Sequence, residues 1–190
     1  MHVRVALVAC TIGLLLSGSS CSNGEPYGTL PPTTSPPPAT TEPTPTPSPT
    51  LPEPTPPALA TQDSAPGAEA FARFWLTALD YAYQTGNTKP FRSLGSCKTC
   101  VAVADGIDRL YSEGGHYEAG RLSAVESTTN RHVPNRAALV SLYYSREARR
   151  VVRGNGGIQI VQGAKRLGFL LTLARDSRWT VTQAQVIEER

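Results

Sequence analysis

The stretch Ala68-Glu69-Ala70-Phe71-Ala72-Arg73-Phe74-Trp75-Leu76-Thr77-Ala78-Leu79-Asp80-Tyr81-Ala82-Tyr83-Gln84-Thr85-Gly86 decides the fold class. Phe71, Phe74, Trp75, Ala78, Leu79 and Ala82 recur at three- and four-residue steps, which lines them along one side of a helix. The spacing predicts a helix over 68–85. Glu69 suits its first turn, where the backbone dipole favours a negative charge, and Gly86 suits the left-handed residue that ends it.

Downstream the helical period continues once and then gives way to alternation. Thr88-Lys89-Pro90-Phe91 reads as a short turn. Ser96 is placed to cap a second helix, about 97–113, with Val101, Ala104, Ile107, Leu110 and Tyr111 inward. Gly114-Gly115 stops it. Residues 117–125 read as a weak strand, and Val133-Pro134-Asn135 breaks the chain before a second strand over 137–145, with Val140, Leu142 and Tyr144 on one face. Gly154-Asn155-Gly156-Gly157 is a turn. Residues 165–175 alternate, with Leu167, Phe169, Leu171 and Leu173 on one side. Asp176-Ser177 turns into 178–187, where Trp179 and Val181 begin the inward face. Helices followed by antiparallel strands predict an α+β domain over 67–190, with its N-terminal helices packed on one face of a sheet.

Two resemblances rest on quoted residues. Phe74-Trp75-Leu76-Thr77-Ala78-Leu79 followed by Thr85-Gly86-Asn87-Thr88, together with the closing pair around Arg178-Trp179-Thr180-Val181, resembles the nuclear-transport-factor-2-like, or cystatin-like, superfamily. That resemblance implies one curved antiparallel sheet forming a cone around the helices. Gly67-Ala68-Glu69-Ala70-Phe71, Tyr81-Ala82-Tyr83-Gln84-Thr85-Gly86, Cys97-Lys98-Thr99-Cys100 and Tyr111-Ser112-Glu113-Gly114-Gly115 resemble an actinobacterial lipoprotein family of unknown function. It brings no assigned catalytic residue, and the superfamily includes both enzymes and non-enzymatic modules, so fold alone leaves function open.

Upstream of the domain the chain reads as an address and a tether. Met1–Arg4 carries one positive charge, Val5–Leu16 is almost entirely apolar, and the small residues Ser17-Gly18-Ser19-Ser20 precede Cys21. That order predicts a signal peptide over 1–20 and a diacylglyceryl anchor on Cys21. Twelve apolar residues reach about 18 Å as helix, too short for a hydrocarbon core of about 30 Å. Leu7-Val8-Ala9-Cys10 matches a lipidation box residue by residue, but leaves only six residues for the signal before it. Residues 21–66 follow as anchor and linker. Between Pro31 and Pro57, 13 of 27 residues are Pro and eight are Thr, so this run lacks the amide donors for helix or sheet and the apolar surface for a core. Extended, it reaches roughly 80 Å. The expectation is a lipoprotein on the extracytoplasmic face of a cell membrane, its domain held off the bilayer by a disordered Pro/Thr-rich linker that composition also marks for glycosylation.

Charge narrows the partners. The chain has 18 Lys+Arg against 15 Asp+Glu, and the linker's four acidic residues (Glu25, Glu42, Glu53, Asp63) leave the excess positive charge on the domain. Such a balance favours lipid headgroups or an anionic cell-wall polymer, and an envelope protein is a further candidate partner. No nucleic-acid-binding motif is present. Arg146-Glu147-Ala148-Arg149-Arg150-Val151-Val152-Arg153 concentrates the charge, and Arg146, Arg149, Arg150 and Arg153 are candidate anion-binding residues. The competing reading is an exposed edge strand whose charges discourage sheet-to-sheet association.

Cys97-Lys98-Thr99-Cys100 is the conspicuous reactive group. Zinc wants about four ligands, and the domain adds only His116 and His132. A thioredoxin-type redox site wants the pair after a strand in a βαβ setting, whereas here Leu94-Gly95-Ser96 precede it. The reading preferred is a structural disulfide, because thiols oxidise outside the membrane and one helical turn brings positions i and i+3 together. A general base in an apolar cone would come from Asp80, Tyr81, Tyr83, His116 or His132, each expected to be solvated or structural. No cofactor or metal site is read. The sequence thus predicts an anchored binding or assembly module and leaves catalysis open, with an enzyme the less favoured reading. The alternative is a small-ligand carrier or isomerase/hydratase-like enzyme using a cone cavity.

Overall fold

A computed structural model of the chain describes residues 51–187. Cys21, the signal and most of the Pro/Thr-rich run lie outside the described residues. A 3-10 turn at Ala58–Thr61 leads to α1 (Ala65–Thr85), then α2 (Lys89–Arg92) and α3 (Lys98–Ser112). Seven strands follow: β1 (His116–Ala119), β2 (Leu122–Val133), β3 (Ala137–Arg146), β4 (Arg149–Val152), β5 (Ile158–Gln162), β6 (Lys165–Arg175) and β7 (Trp179–Ile187).

The helices start and stop for local reasons. Ser64 caps α1 by accepting a hydrogen bond from the Gly67 amide at 3.1 Å, and Pro66 sits in the first turn, so the helix begins three residues earlier than the expected start at residue 68. Gly86, at φ +74°, ends it. Glu69 therefore lies past the first turn. Its carboxylate accepts from the Thr129 amide at 2.8 Å and ties α1 to β2. The cap of α3 is Cys97, whose Sγ accepts from the Cys100 amide, and not the Ser96 expected.

The seven strands form two antiparallel sheets, not one cone. β2-β3-β6-β7 is a four-stranded sheet, and β1-β4-β5 is a separate three-stranded one. Neither is closed or curled into a cone, which overturns the curved single-sheet expectation. The reason lies in two left-handed residues. Ala119 at φ +57° and Gly120 at φ +81° turn the chain between β1 and β2, so the weak strand expected over 117–125 is cut and its halves enter different sheets. A Cβ on Gly120 would also collide with the Arg149 side chain.

The core sits between α1 and the four-stranded sheet. Val140, Leu142 and Tyr144 of β3, Phe169, Leu171 and Leu173 of β6, and Trp179 and Val181 of β7 face it as the alternation predicts. Trp75 is 2% exposed, with Phe91 at 5.3 Å and Phe169 at 5.2 Å between ring centres. On α3 the buried face is Cys100, Ala104 and Ile107, whereas Val101, expected inward, is exposed.

Candidate functional site

The most polar concavity lies beyond this core, between the C-terminal half of α3 and the small sheet. Gly106, Arg109, Leu110 and Glu113 form its helical wall, because steps of three and four residues put them on one face of α3. The sheet wall follows from register. Tyr117 pairs with Val151 and Val151 with Ile160, while Arg149 pairs with Gln162, so all five side chains share one face of β1, β4 and β5. Arg153, Gly154 and Asn155, in the tight turn after β4, close one end. The groove encloses about 580 Å³. A Cβ on Gly106 would meet nothing within 4 Å, so this helix glycine opens the wall rather than relieving a clash.

Three guanidinium groups and one carboxylate line this groove. Arg149 is the fixed one. Its guanidinium carbon lies 4.7 Å from the Tyr83 ring centre and 5.1 Å from that of Tyr117, and its Nε donates to Gln162 Oε1 at 2.7 Å. The ring pair is itself edge-to-face at 4.9 Å, and the Tyr111 hydroxyl donates to the Tyr83 carbonyl at 2.7 Å. Burial pushes the Tyr117 phenol up, with Tyr83 adding to the shift. The two rings are thus platforms for the cation. Arg109 and Arg153 have no side-chain hydrogen bond or ion pair among the described residues, and Glu113 is the single carboxylate of the lining. Arg109, in the last turn of α3, also suits the negative end of the helix dipole.

The four arginines singled out by sequence do not act together. Arg149 and Arg153 line the groove. Arg150 projects from the opposite face of β4 and pairs with Glu118 at 3.2 Å. Arg146 ends β3 in the other sheet and donates to the Gly163 carbonyl at 3.1 Å; burial first, and then Arg149, holds its guanidinium below the ordinary arginine value. The segment is also no edge strand. β4 is the central strand of the small sheet, which corrects the edge-strand reading. Arg109, Glu113, Tyr117, Asn155 and Gln162 were missed. Only the shared face of Gly106, Arg109 and Glu113 was present as a signal, and it had no meaning until the small sheet was placed against it.

The candidate bases are dispersed over the molecule. Asp80 is buried and accepts from Arg121 Nε and the Leu122 amide, both at 2.8 Å, which anchors the start of β2 to α1. His132 Nε2 lies 3.0 Å from Asp63 Oδ1, whose other oxygen accepts from the Asn135 amide at 2.6 Å. His116 is exposed beside Glu118 at 3.6 Å. Tyr81 lies at a hydrogen-bond limit from Asn87, and Tyr83 packs under Arg149. Cys97 and Cys100 form a disulfide with their Cα atoms 5.0 Å apart. No group of three or more His, Cys, Asp and Glu placed to hold a metal ion occurs among the described residues.

Residues 37–185 match the family of unknown function DUF6318. The chain belongs to that family. Membership in an uncharacterised family agrees with the coarser part of the resemblance read from the sequence. No curated protein matches. Among solved structures, the crystal structure of the intermembrane space region of the chloroplast protein ARC6 is similar. That similarity has 12% identity and a TM-score of 0.47, covering 67% of this chain and 99% of that one. No helix among the described residues is long and apolar enough to cross a membrane.

Proposed function

We propose that this protein is a lipid-anchored extracytoplasmic binding module that grips an anionic ligand in the groove between α3 and the small sheet. One observation carries the reading: Arg109, Arg149 and Arg153 surround a groove of about 580 Å³ that holds a single carboxylate, Glu113. Arginine suits this role because its planar fork binds phosphate and carboxylate through paired N–H donors. The chain has 15 Arg to three Lys, a bias in the same direction. Arg149 is pre-organised by its two rings and by Gln162, so binding does not have to order it, while Arg109 and Arg153 keep unspent donors. The anchor at Cys21 and the stiff linker, read from the sequence, set such a module at the height of wall polymers and envelope proteins.

Catalysis by a general base has less support. The carboxylate best placed in the helical core, Asp80, already accepts two hydrogen bonds. The helix-facing side of the large sheet is filled by Trp75, Phe169 and their neighbours.

Titration of the full chain with inorganic tripolyphosphate tests the ligand class. Binding is expected to weaken with salt, because charges at an open groove are screened over about 8 Å at physiological ionic strength. Arg109→Gln with Arg153→Gln should weaken it about tenfold or more, at roughly 1.4 kcal/mol per factor of ten. Arg178→Gln, remote from the groove, should not. Equal losses from both sets would refute a specific site. Labelling with a fatty-acid analogue tests the anchor. Label on a Cys21→Ala chain would refute lipidation there, and Cys10→Ala should leave labelling intact.

A further inference from the structure

Strand β5 forms the outer wall of the groove and is the open edge of the small sheet. It pairs with β4 on one side and with no strand on the other among the described residues. Edge strands ordinarily carry charge, proline or a covering element that stops a foreign strand from adding to them. The opposite edge, β1, follows that rule with Glu118 ion-paired to Arg150. β5, Ile158-Gln159-Ile160-Val161-Gln162, has no charge and no proline. Its apolar side chains stay in water: Val161 is 70% exposed, Ile158 55% and Ile160 41%. The one irregularity in its ladder with β4 falls at the turn end, between Val151 and Val152, and leaves Ile160 to Gln162 in regular register.

The two faces of this edge differ in chemistry. Ile160 and Gln162 share the groove face with Arg149, and Arg109 and Arg153 line the same groove. Val161 pairs with Arg150 on the other face. A strand laid along β5 would therefore present alternate side chains to a cationic groove and the rest to the apolar flank of Val161. Resting on the anionic-ligand reading above, we propose that the ligand is an extended acidic segment of another envelope protein, which adds to β5 as a fourth strand of the small sheet. Its acidic residues occupy alternate positions facing Arg109, Arg149 and Arg153, with β-branched residues between them beside Val161. Main-chain hydrogen bonds then supply affinity and the arginines supply selectivity, as in other strand-addition complexes. A second copy of this chain fits less well, since pairing β5 with β5 brings two cationic grooves together.

A fluorescein-labelled octapeptide alternating Glu and Val is the probe, added to the full chain and followed by anisotropy and by amide resonances. Two controls keep its length: one has Lys for Glu, and one has alternate amides N-methylated on the side that would meet β5. The Glu/Val peptide is expected to bind about tenfold or more tightly than either control and to shift the amides of Ile160 to Gln162. If the N-methylated peptide binds equally, strand addition is refuted while the anionic groove stands. If the Lys peptide binds equally, the acidic partner is refuted. If tripolyphosphate binds at the arginines and neither acidic peptide does, the groove reading survives alone. Sedimentation showing a dimer that excludes the peptide would assign β5 to self-association and overturn the proposal.

Discussion

The Arg149 guanidinium carbon lies 4.7 Å from the centre of the Tyr83 ring, so a side chain of β4 is clamped to the last turns of α1. This contact, extended by Tyr117 and Gln162, ties the small sheet to the helices. Arg149→Ala is expected to cost about 1–2 kcal/mol, the range of a partly desolvated cation on an aromatic face. Arg150→Ala should cost no more than about 1 kcal/mol, because its pair with Glu118 is solvent-exposed. Chemical denaturation of the two variants checks this. Equal costs would mean that the ring contact contributes nothing.

Trp75 tests the core. Its ring packs on Phe91 and Phe169, and its indole N–H is buried with no hydrogen-bond partner among the described residues. Trp75→Ala should destabilise by about 3–5 kcal/mol, a large share of a total of about 5–15. Trp75→Phe should cost much less, because it retains a ring and removes a buried donor that costs about 1–3 kcal/mol when unsatisfied. Thermal melts of the two variants should separate widely, and coincident melts would contradict the packing.

The Cys97–Cys100 bridge closes a loop within one turn of α3. Chain entropy for so short a loop gives about 1.9 kcal/mol. Reduction is therefore expected to lower the melting temperature by a few degrees and leave far-ultraviolet circular dichroism intact. Mass spectrometry with and without reductant verifies the bond, and complete unfolding on reduction would show that the bridge does more than staple the helix start.

Asp63 predicts an acid dependence. The hydrogen bond from His132, then that from the Asn135 amide, holds its carboxyl below the ordinary carboxylate value. A depressed folded value means that stability is present above the unfolded carboxylate value of about 3.9 and is lost as pH falls through the folded one. Asp63→Asn should melt lower than the parent at neutral pH, and the gap should close below about pH 4. A gap that is constant with pH would indicate loss of packing alone.

Alternation and helical spacing were enough to place α1, β3, β6 and β7, because each buries one face against a single core and its sequence shows the matching period. Val140, Leu142 and Tyr144 in β3, and Phe169, Leu171 and Leu173 in β6, point where that period said they would. The small sheet was not legible. Ile158, Ile160 and Val161 of β5 are all exposed, so its apolar residues mark no buried side, and β1 is only four residues long.

What the amino-acid sequence determined by itself was the order of helices before strands, the inward faces of α1, β3, β6 and β7, the cysteine pair within one helical turn, and the arrangement of signal-like, cysteine and Pro/Thr-rich segments. All of these are local, set by spacing of a few residues. The tertiary structure alone decided the split into two sheets and the fate of the arginines. Arg149 and Arg150 are neighbours in sequence but lie on opposite faces of β4, one stacked on Tyr83 and the other on Glu118 across the strand pair. Arg109 and Arg153, forty-four positions apart by their numbering, meet at one groove. The left-handed turn at Ala119 and Gly120 produces this, because it sends β1 away from β2 and puts β4 opposite α3. Such long-range pairing depends on how whole elements close against each other, which no local pattern of side chains encodes.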